Sequence, residues 1–414
     1  MEALNPVASA GDLEGQSRIR FPTAQPGAKL HSAMPRRFLC RPLFRLLGAG
    51  VLFGLLSLPG DLPAAAAEPS LRIDRLFGPE VPTGNYKHPA SFTELSDGSI
   101  YVVFFSGKGE YHDNAAAVFG SRIPKGGGRP SKPVAIANNP FHSLGNAVVW
   151  EAPDRTVWLF YVTRYGEVWA DSRITAKISR DGARTWSEPF QVTFEAGTMV
   201  RSRPVVLADG SWILPAYSET GRDPEVDDGT NTSLFLRFDP KKGVWTESNR
   251  VGSRLGNIQP AAAVVDGDHL VAFCRRGGDY NGRPDGWMVR TESRDGGRTW
   301  SPGRDSGFPN PNAAVDFLRL ANGHHLLVYN HSFTNRTPLT VALSTDGART
   351  FPHARNLLDA PDGDYGYPTA LQTRDGRLHV LFTSDERTVV RHAVFPEDWI
   401  RTGKGSVPAP AGKP

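Results

Sequence analysis

The sequence predicts an all-β chain folded as a six-bladed β-propeller with four-stranded antiparallel blades, and three observations carry that prediction. A turn dipeptide stands between two apolar runs at Asp97-Gly98, Asp154-Arg155, Asp209-Gly210, Asp266-Gly267, Asn322-Gly323 and Asp375-Gly376, at spacings of 57, 55, 57, 56 and 53 residues. An eleven-residue segment, SRDGARTWSEP at 179–189, returns as SRDGGRTWSPG at 293–303 and as STDGARTFPHA at 344–354. Across 414 residues, 43 Gly and 34 Pro break up short runs of Val, Phe, Trp and Tyr that keep no helical period.

Residues 1–67 read as a leader rather than as part of the fold. MPRRFLCRPLFRLLGAGVLFGLLSLPGDLPAAAAEPS (34–70) joins a basic start to an apolar stretch from Leu46 to Leu58 and small residues before Glu68. That is the pattern of a secretory signal cleaved near Ala67, with Met34 as the true start. The apolar run is short for a membrane span and is broken by Pro59 and Gly60. The expectation is therefore an exported protein, periplasmic or released, with no stable membrane span. Removing the leader takes away seven Lys/Arg and four Asp/Glu, which lowers the formal charge from +4 to +1. Nothing in the remaining charge pattern calls for nucleic acid. Cys40 goes with the leader, so Cys274 stands alone and no intrachain disulfide can form.

The blades follow in order over 68–400. Asp-Gly and Asn-Gly favour tight hairpins because both central residues tolerate positive φ. Each dipeptide lies between strand-like text, from SFTEL and SIYVVFF in the first unit to TALQT and RLHVLF in the sixth. The repeated segments come after the second strand of their units, so each belongs to a later hairpin and a unit holds four strands. In S-x-D-G-x-T-W, Asp can accept hydrogen bonds from its own turn, Gly takes a φ that other residues resist, and Trp packs into the sheet interface. These are expected to be fold staples on the bottom face. The sixth unit ends early with TVVRHAVF (388–395), and LRIDRLFG (71–78) is free to close the ring as its fourth strand. Residues 401–414 read as a disordered tail.

The top face then gathers the starts of first strands and the ends of second strands. Counting back from the bottom turns gives His88, Asn146, Arg201, Gln259, Ala314 and Tyr367. Counting forward gives Ser106, Arg164, Tyr217 with Glu219, Arg275, Asn330 with His331, and Ser384. PNPNAAVDFLRL adds Asn310, Asn312 and Asp316, and Tyr365 stands just ahead of Tyr367. Guanidinium forks for an anion, amides for hydroxyls and aromatic faces for a sugar ring make a mixture suited to glycans. FHSLGNAVVWEAPDRTVWLFYVTRYGEVW further places His142, Tyr165 and Trp169 around blade two. No metal site is expected, because His324-His325 lie at a bottom turn and no Cys/His cluster has ligand spacing. No cofactor motif is present.

SRDGARTWSEP and its two siblings resemble the Asp-box of the sialidase superfamily, and the six-blade layout extends the resemblance over roughly 70–400. Such boxes also occur in propellers that are not enzymes. The resemblance implies a sugar carboxylate held by arginines, a leaving group protonated by an Asp of the first blade, and attack by a Tyr assisted by a Glu. LVAFCRR is similar to the second-arginine segment and gives Arg275; NHSFTNRTPLTVALSTDG gives Arg336; GYPTALQTRDG gives Tyr367; FFSGKGEYHDNAAAV gives Asp113. Two positions depart. YKHPASF offers His88 where the first arginine belongs, and NIQPAAAV has Gln259, which takes no proton, where the Glu belongs. Glu219 on the neighbouring blade is the candidate replacement.

The reading that results is an exo-glycosidase for a terminal, acidic, sialic-acid-like sugar. Its catalytic candidates are Asp113, Tyr367, Glu219 and His88, with Arg275, Arg336 and the remaining top-face residues binding a glycan. Two alternatives stand beside it: a glycan-binding propeller without catalysis, and a uronic-acid-directed glycosidase or lyase on the same fold.

Overall fold

The hairpin turns set the blades. In the computed structural model, which describes residues 70–110, 116–221 and 229–402, Asp97, Asp154 and Asp209 each accept a backbone N–H two residues on at 2.9 Å, and Asp375 does so at 3.1 Å. The side chain thereby closes the turn that its own Gly or Arg opens with a positive φ, from 66° at Arg155 to 84° at Gly210 and Gly376.

Six antiparallel sheets follow in chain order. Blade one comprises Tyr86–Glu94, Ile100–Gly107, Ala117–Ile123 and Val134–Ala137, and blade two Ser143–Glu151, Val157–Arg164, Ser172–Ser179 and Phe190–Gln191. Blade three has its innermost strand split into Thr198–Val200 and Val205–Val206, followed by Trp212–Ser218, Thr232–Asp239 and Val244–Glu247. Blade four holds Asn257–Asp266, His269–Arg276, Trp287–Ser293 and Arg304–Pro309; blade five Asp316–Arg319, His325–Asn330, Leu339–Ser344 and His353–Leu358. Blade six takes Gly366–Gln372, Leu378–Ser384 and Val389–Phe395 from the end of the chain, and Arg72–Phe77 pairs antiparallel with Val389–Phe395 as its fourth strand. This is the predicted six-bladed ring, closed by the predicted segment. Two details differ from a uniform repeat: the split in blade three and a short innermost strand in blade five.

The cores lie between blades. Side chains alternate along a strand, so Val102 and Phe104 of blade one pack with Leu381 and Val390 of blade six, while Val103 and Phe105 pack with Val149 and Tyr161 of blade two. The same division recurs around the ring. After the last strand, the helix Glu397–Thr402 drops Trp399 and Ile400 into the core between blades five and six. None of the described residues forms a helix long and apolar enough to cross a membrane.

The repeated segments join third to fourth strands and act as interblade wedges. Asp295 accepts from Ser293 Oγ at 2.8 Å, from the N–H of Arg298 and Thr299 at 3.0 and 2.9 Å, and from Thr299 Oγ1 at 2.6 Å. Asp181 and Asp346 repeat the pattern with Thr185 and Thr350. The loop thus locked aims its aromatic ring at the preceding blade: Trp300 stacks on Phe235 at 3.6 Å and 13°, Trp186 meets Tyr101, and Phe351 meets Phe273 and Phe308.

Two predictions follow from these contacts. Asp295→Ala, which leaves two backbone N–H groups and Thr299 without their acceptor, is expected to lower unfolding stability by roughly 1–3 kcal/mol, read as a drop in denaturant midpoint. The buried pair His379–His392, joined Nδ1 to Nε2 at 2.9 Å, has pKa values lowered chiefly by burial to about 4 and about 3. The unfolded chain takes up protons at these positions below about pH 6.5, whereas the folded chain does not until about pH 4. Stability should therefore fall with pH between those limits, and a His379→Gln, His392→Gln variant should show a shallower fall in urea midpoints across the same window.

Candidate functional site

Innermost strands slip register at one height in four blades. Pairing jumps from Lys87 to Ala90, Gly145 to Val148, Ile258 to Ala261 and Gly366 to Thr369. The first of the two residues inside each bulge is His88, Asn146, Gln259 or Tyr367. Asn146, Gln259 and Tyr367 have φ of 43°, 53° and 53°, a left-handed conformation that costs a residue with a β-carbon about 1–2 kcal/mol. Surrounding structure must hold them there. Three of the four precede proline, whose missing N–H suits a gap in the ladder. Arg201 occupies the split of the blade-three strand, and Asn312, at φ 56°, precedes the short strand of blade five.

These departures bring polar side chains to one pocket at the mouth of the ring. It is lined by His88, Glu110, Asn146, Tyr217, Glu219, Gln259, Arg275 and Tyr367, with Trp169 and Tyr280 as aromatic walls. Gly145 permits the Trp169 wall: a β-carbon there would come within 2.8 Å of the indole ring. Arg275 is the hub. Its Nη1 donates to the Tyr367 hydroxyl at 2.9 Å and to Gln259 Oε1 at 3.3 Å, and its Nε donates to Asn312 Oδ1 at 2.6 Å. Asn146 donates to the Tyr217 hydroxyl at 2.8 Å, and Gln259 Nε2 donates to the same oxygen at 3.5 Å.

Tyr367 is 7 % exposed and ringed by cations. The guanidinium carbons of Arg336, Arg201 and Arg275 lie 5.5, 5.7 and 5.9 Å from its ring centroid. Burial alone would raise its pKa; Arg275 and Arg336, with Arg387, outweigh burial and bring the phenol below its ordinary value near 10. Tyr217, buried on blade three beside Glu219, moves the opposite way, pushed well up by burial and that carboxylate. His88 stacks edge to face on Tyr367 with centroids 4.0 Å apart, and its Nδ1 lies 2.7 Å from Thr383 Oγ1. Burial, reinforced by the surrounding arginines, lowers the His88 pKa well below 6.5 and keeps the ring neutral. Glu110 adds a negative charge at the rim, but Arg387 and the Tyr86 hydroxyl both donate to its Oε2. Positive charge therefore dominates around Tyr367.

The other sequence candidates fall elsewhere. Arg164 donates to the Glu110 carbonyl at 3.1 Å and lies over Trp169, at the pocket wall. Arg201 reaches from blade three across to blade six, where it donates to the Pro368 carbonyl beneath Tyr367. Asp316 is not at the pocket: its two oxygens accept the N–H of Phe317 and Ala370 at 3.0 and 2.6 Å, tying blade five to blade six. Burial raises its pKa, against the pull of Arg203 and Arg201. Asn330 is directed to the carbonyls of Pro338 and Tyr365, and Tyr365 packs in the core between blades five and six. Lys87, next to His88, turns aside to the Gly84 carbonyl. Asp113 lies outside the described residues. Sequence reading missed Glu110, Tyr280 and Arg387, which come from loops after second strands rather than from strand ends. Among the described residues no group of three or more His, Cys, Asp or Glu is arranged to hold a metal ion.

Comparison with known proteins agrees with this architecture. The NanB sialidase of Streptococcus pneumoniae superposes with a TM-score of 0.66 at 11 % identity, over 79 % of this chain and 71 % of that one. The intramolecular trans-sialidase of Ruminococcus gnavus, solved with oseltamivir carboxylate, gives 0.64 at 13 % identity, over 80 % and 98 %. A Dyadobacter fermentans protein of unknown function gives 0.63 at 17 % identity, over 79 % and 99 %. At such identities the likeness is one of fold. No curated protein matches the sequence. Residues 98–380 match the BNR repeat-like domain, and the chain belongs to that family, built as a six-bladed propeller of the sialidase type.

Proposed function

We propose that this protein is an exo-acting glycosidase that removes a terminal anionic sugar, of sialic acid type, from a glycan. The observation that carries the reading is the Tyr367 phenol bonded to Arg275 and flanked by Arg336 and Arg201. Arg275 and Arg336 would take the sugar carboxylate by charge-assisted hydrogen bonds. Tyr367 would attack the anomeric carbon, because a carboxylate nucleophile would be repelled by the carboxylate of the substrate. As the bond from Tyr367 Oη to carbon forms, the glycosidic C–O bond breaks, and the leaving oxygen would take a proton from Asp113, the acid that the sequence resemblance implies. Water then hydrolyses the glycosyl-tyrosine.

Gln259 changes how the nucleophile is prepared. It cannot accept the phenol proton, and its Oε1 instead steadies Arg275. Arg275 and Arg336 favour the phenolate and lower the Tyr367 pKa against the effect of burial, so charge takes the place of a neighbouring base in preparing the nucleophile. Neutral His88, edge-on to Tyr367, supports a second reading, in which a uronate is bound by the same arginines and loses its C5 proton and its 4-O substituent by elimination.

Incubating the protein with sialyllactose and following free sialic acid by proton NMR tests the proposal. Release by the parent and its loss by at least about a hundredfold in Tyr367→Phe are expected; no release, with an ultraviolet-absorbing unsaturated product from polyuronates instead, would favour elimination. The electrostatic account makes a separate claim about pH. Arg336→Gln removes a cation that stabilises the phenolate, so the Tyr367 pKa rises and the acidic limb of kcat/KM should move to higher pH. A limb that stays in place would assign it to another group.

A further inference from the structure

The top of blade two carries aromatic rings that neither the fold nor the pocket uses. Phe141 is 78 % exposed and Phe194 81 %, while Tyr165 is 44 % exposed. All three stand on loops at the mouth end of the ring: Phe141 just before the strand Ser143–Glu151, Tyr165 just after Val157–Arg164, and Phe194 just before Thr198–Val200.

The rings are held rather than merely left over. Asn139 Oδ1 accepts the N–H of Phe141 at 2.9 Å and of His142 at 3.1 Å, which fixes the loop that presents Phe141. His142 lies 4.7 Å from the Tyr165 ring. Arg173 covers the same ring at 5.1 Å while its Nε donates to the Phe194 carbonyl at 3.0 Å, and so links Tyr165 to the Phe194 loop. Tyr165 follows Arg164, whose guanidinium lies 5.1 Å over Trp169, a wall of the pocket. A chain of contacts thus runs from the pocket wall through Arg164, Tyr165 and Arg173 to Phe194, with Phe141 beside it. Large rings held in water by hydrogen-bonded loops, next to a binding pocket, are placed to receive flat apolar faces.

We propose that this strip is a platform for the second and third sugars of the glycan whose terminal sugar enters the pocket. The inference rests on the glycan-directed reading of that pocket and narrows it to extended oligosaccharides. A sugar ring has one face of C–H groups that stacks on an aromatic ring, and its hydroxyls point sideways to groups such as His142 and the Arg173 guanidinium. A chain that leaves the pocket past Trp169 meets Tyr165 first and Phe141 or Phe194 next.

The test compares two substrates with one terminal sugar, the methyl α-glycoside of N-acetylneuraminic acid and sialyl-lacto-N-tetraose, on the parent and on Tyr165→Ala, Phe141→Ala and Phe194→Ala. The parent should favour the longer substrate in kcat/KM by about tenfold, and Tyr165→Ala with one of the phenylalanine variants should remove most of that preference, each stacked ring being worth a few-fold. Turnover of the methyl glycoside and the melting temperature should stay unchanged in all three. Equal kcat/KM for both substrates, or variants that keep the preference, would overturn the platform. If neither substrate is turned over, the hydrolytic reading has failed, and the platform is judged by titrating both sugars against tryptophan fluorescence. Tighter binding of the longer sugar that the variants lose would uphold it, and no gain with length would overturn it.

Discussion

An innermost propeller strand must serve two environments within ten residues: its upper end faces a polar pocket and its middle lies in an apolar interblade core. Strict alternation cannot do both, because a polar residue at the top would put its neighbours on the wrong face lower down. The register slip at His88, Asn146, Gln259 and Tyr367 resolves this. Each bulge turns one polar side chain towards the pocket, after which the strand resumes with its apolar residues facing the cores. The left-handed φ at three of these positions is the local cost, and the stacked blades around them provide the rigidity that sustains it.

From that geometry comes the electrostatics. Tyr367 enters from blade six, Arg275 from blade four and Arg201 from blade three, so groups distant in sequence converge on one phenol. Two buried tyrosines show how finely position decides. Tyr217 accepts from amides beside Glu219 and remains a reluctant acid, while Tyr367, bonded to Arg275 and flanked by Arg336 and Arg201, becomes an easier one. A pocket built in this way favours an anion and a phenolate together. On the proposed reading, that is how the site could work with Gln259 where the resemblance implies a Glu.

Much of the architecture was legible in the chain because it is written locally. A turn Asp closes its own hairpin, an Asp-box folds on itself, and both repeat at a fixed period, so the six blades and the closing strand Arg72–Phe77 could be read without a structure. Counting from those turns also reached His88, Asn146, Gln259, Arg275 and Tyr367, because strand length fixes height. The same count failed to separate pocket from scaffold. Asp316, Asn330 and Tyr365 sit at similar heights, yet Asp316 bonds to backbone across an interface, Asn330 reaches neighbouring carbonyls, and Tyr365 faces the core. Which way a side chain turns depends on the bulge, and the proline after His88, Gln259 and Tyr367 was the available signal for it. Glu110 and Arg387 were beyond that reasoning, since they arrive on irregular loops whose course no period dictates.

The central claim is that arginines, rather than a neighbouring carboxylate, ready Tyr367. It is tested most directly by titrating the protein with 13Cζ-labelled tyrosine and assigning the Tyr367 resonance from the Tyr367→Phe variant. The account predicts ionisation below the ordinary tyrosine value near 10, moving upward in Arg336→Gln. A Tyr367 that titrates at or above that value, as burial alone would dictate, would contradict it.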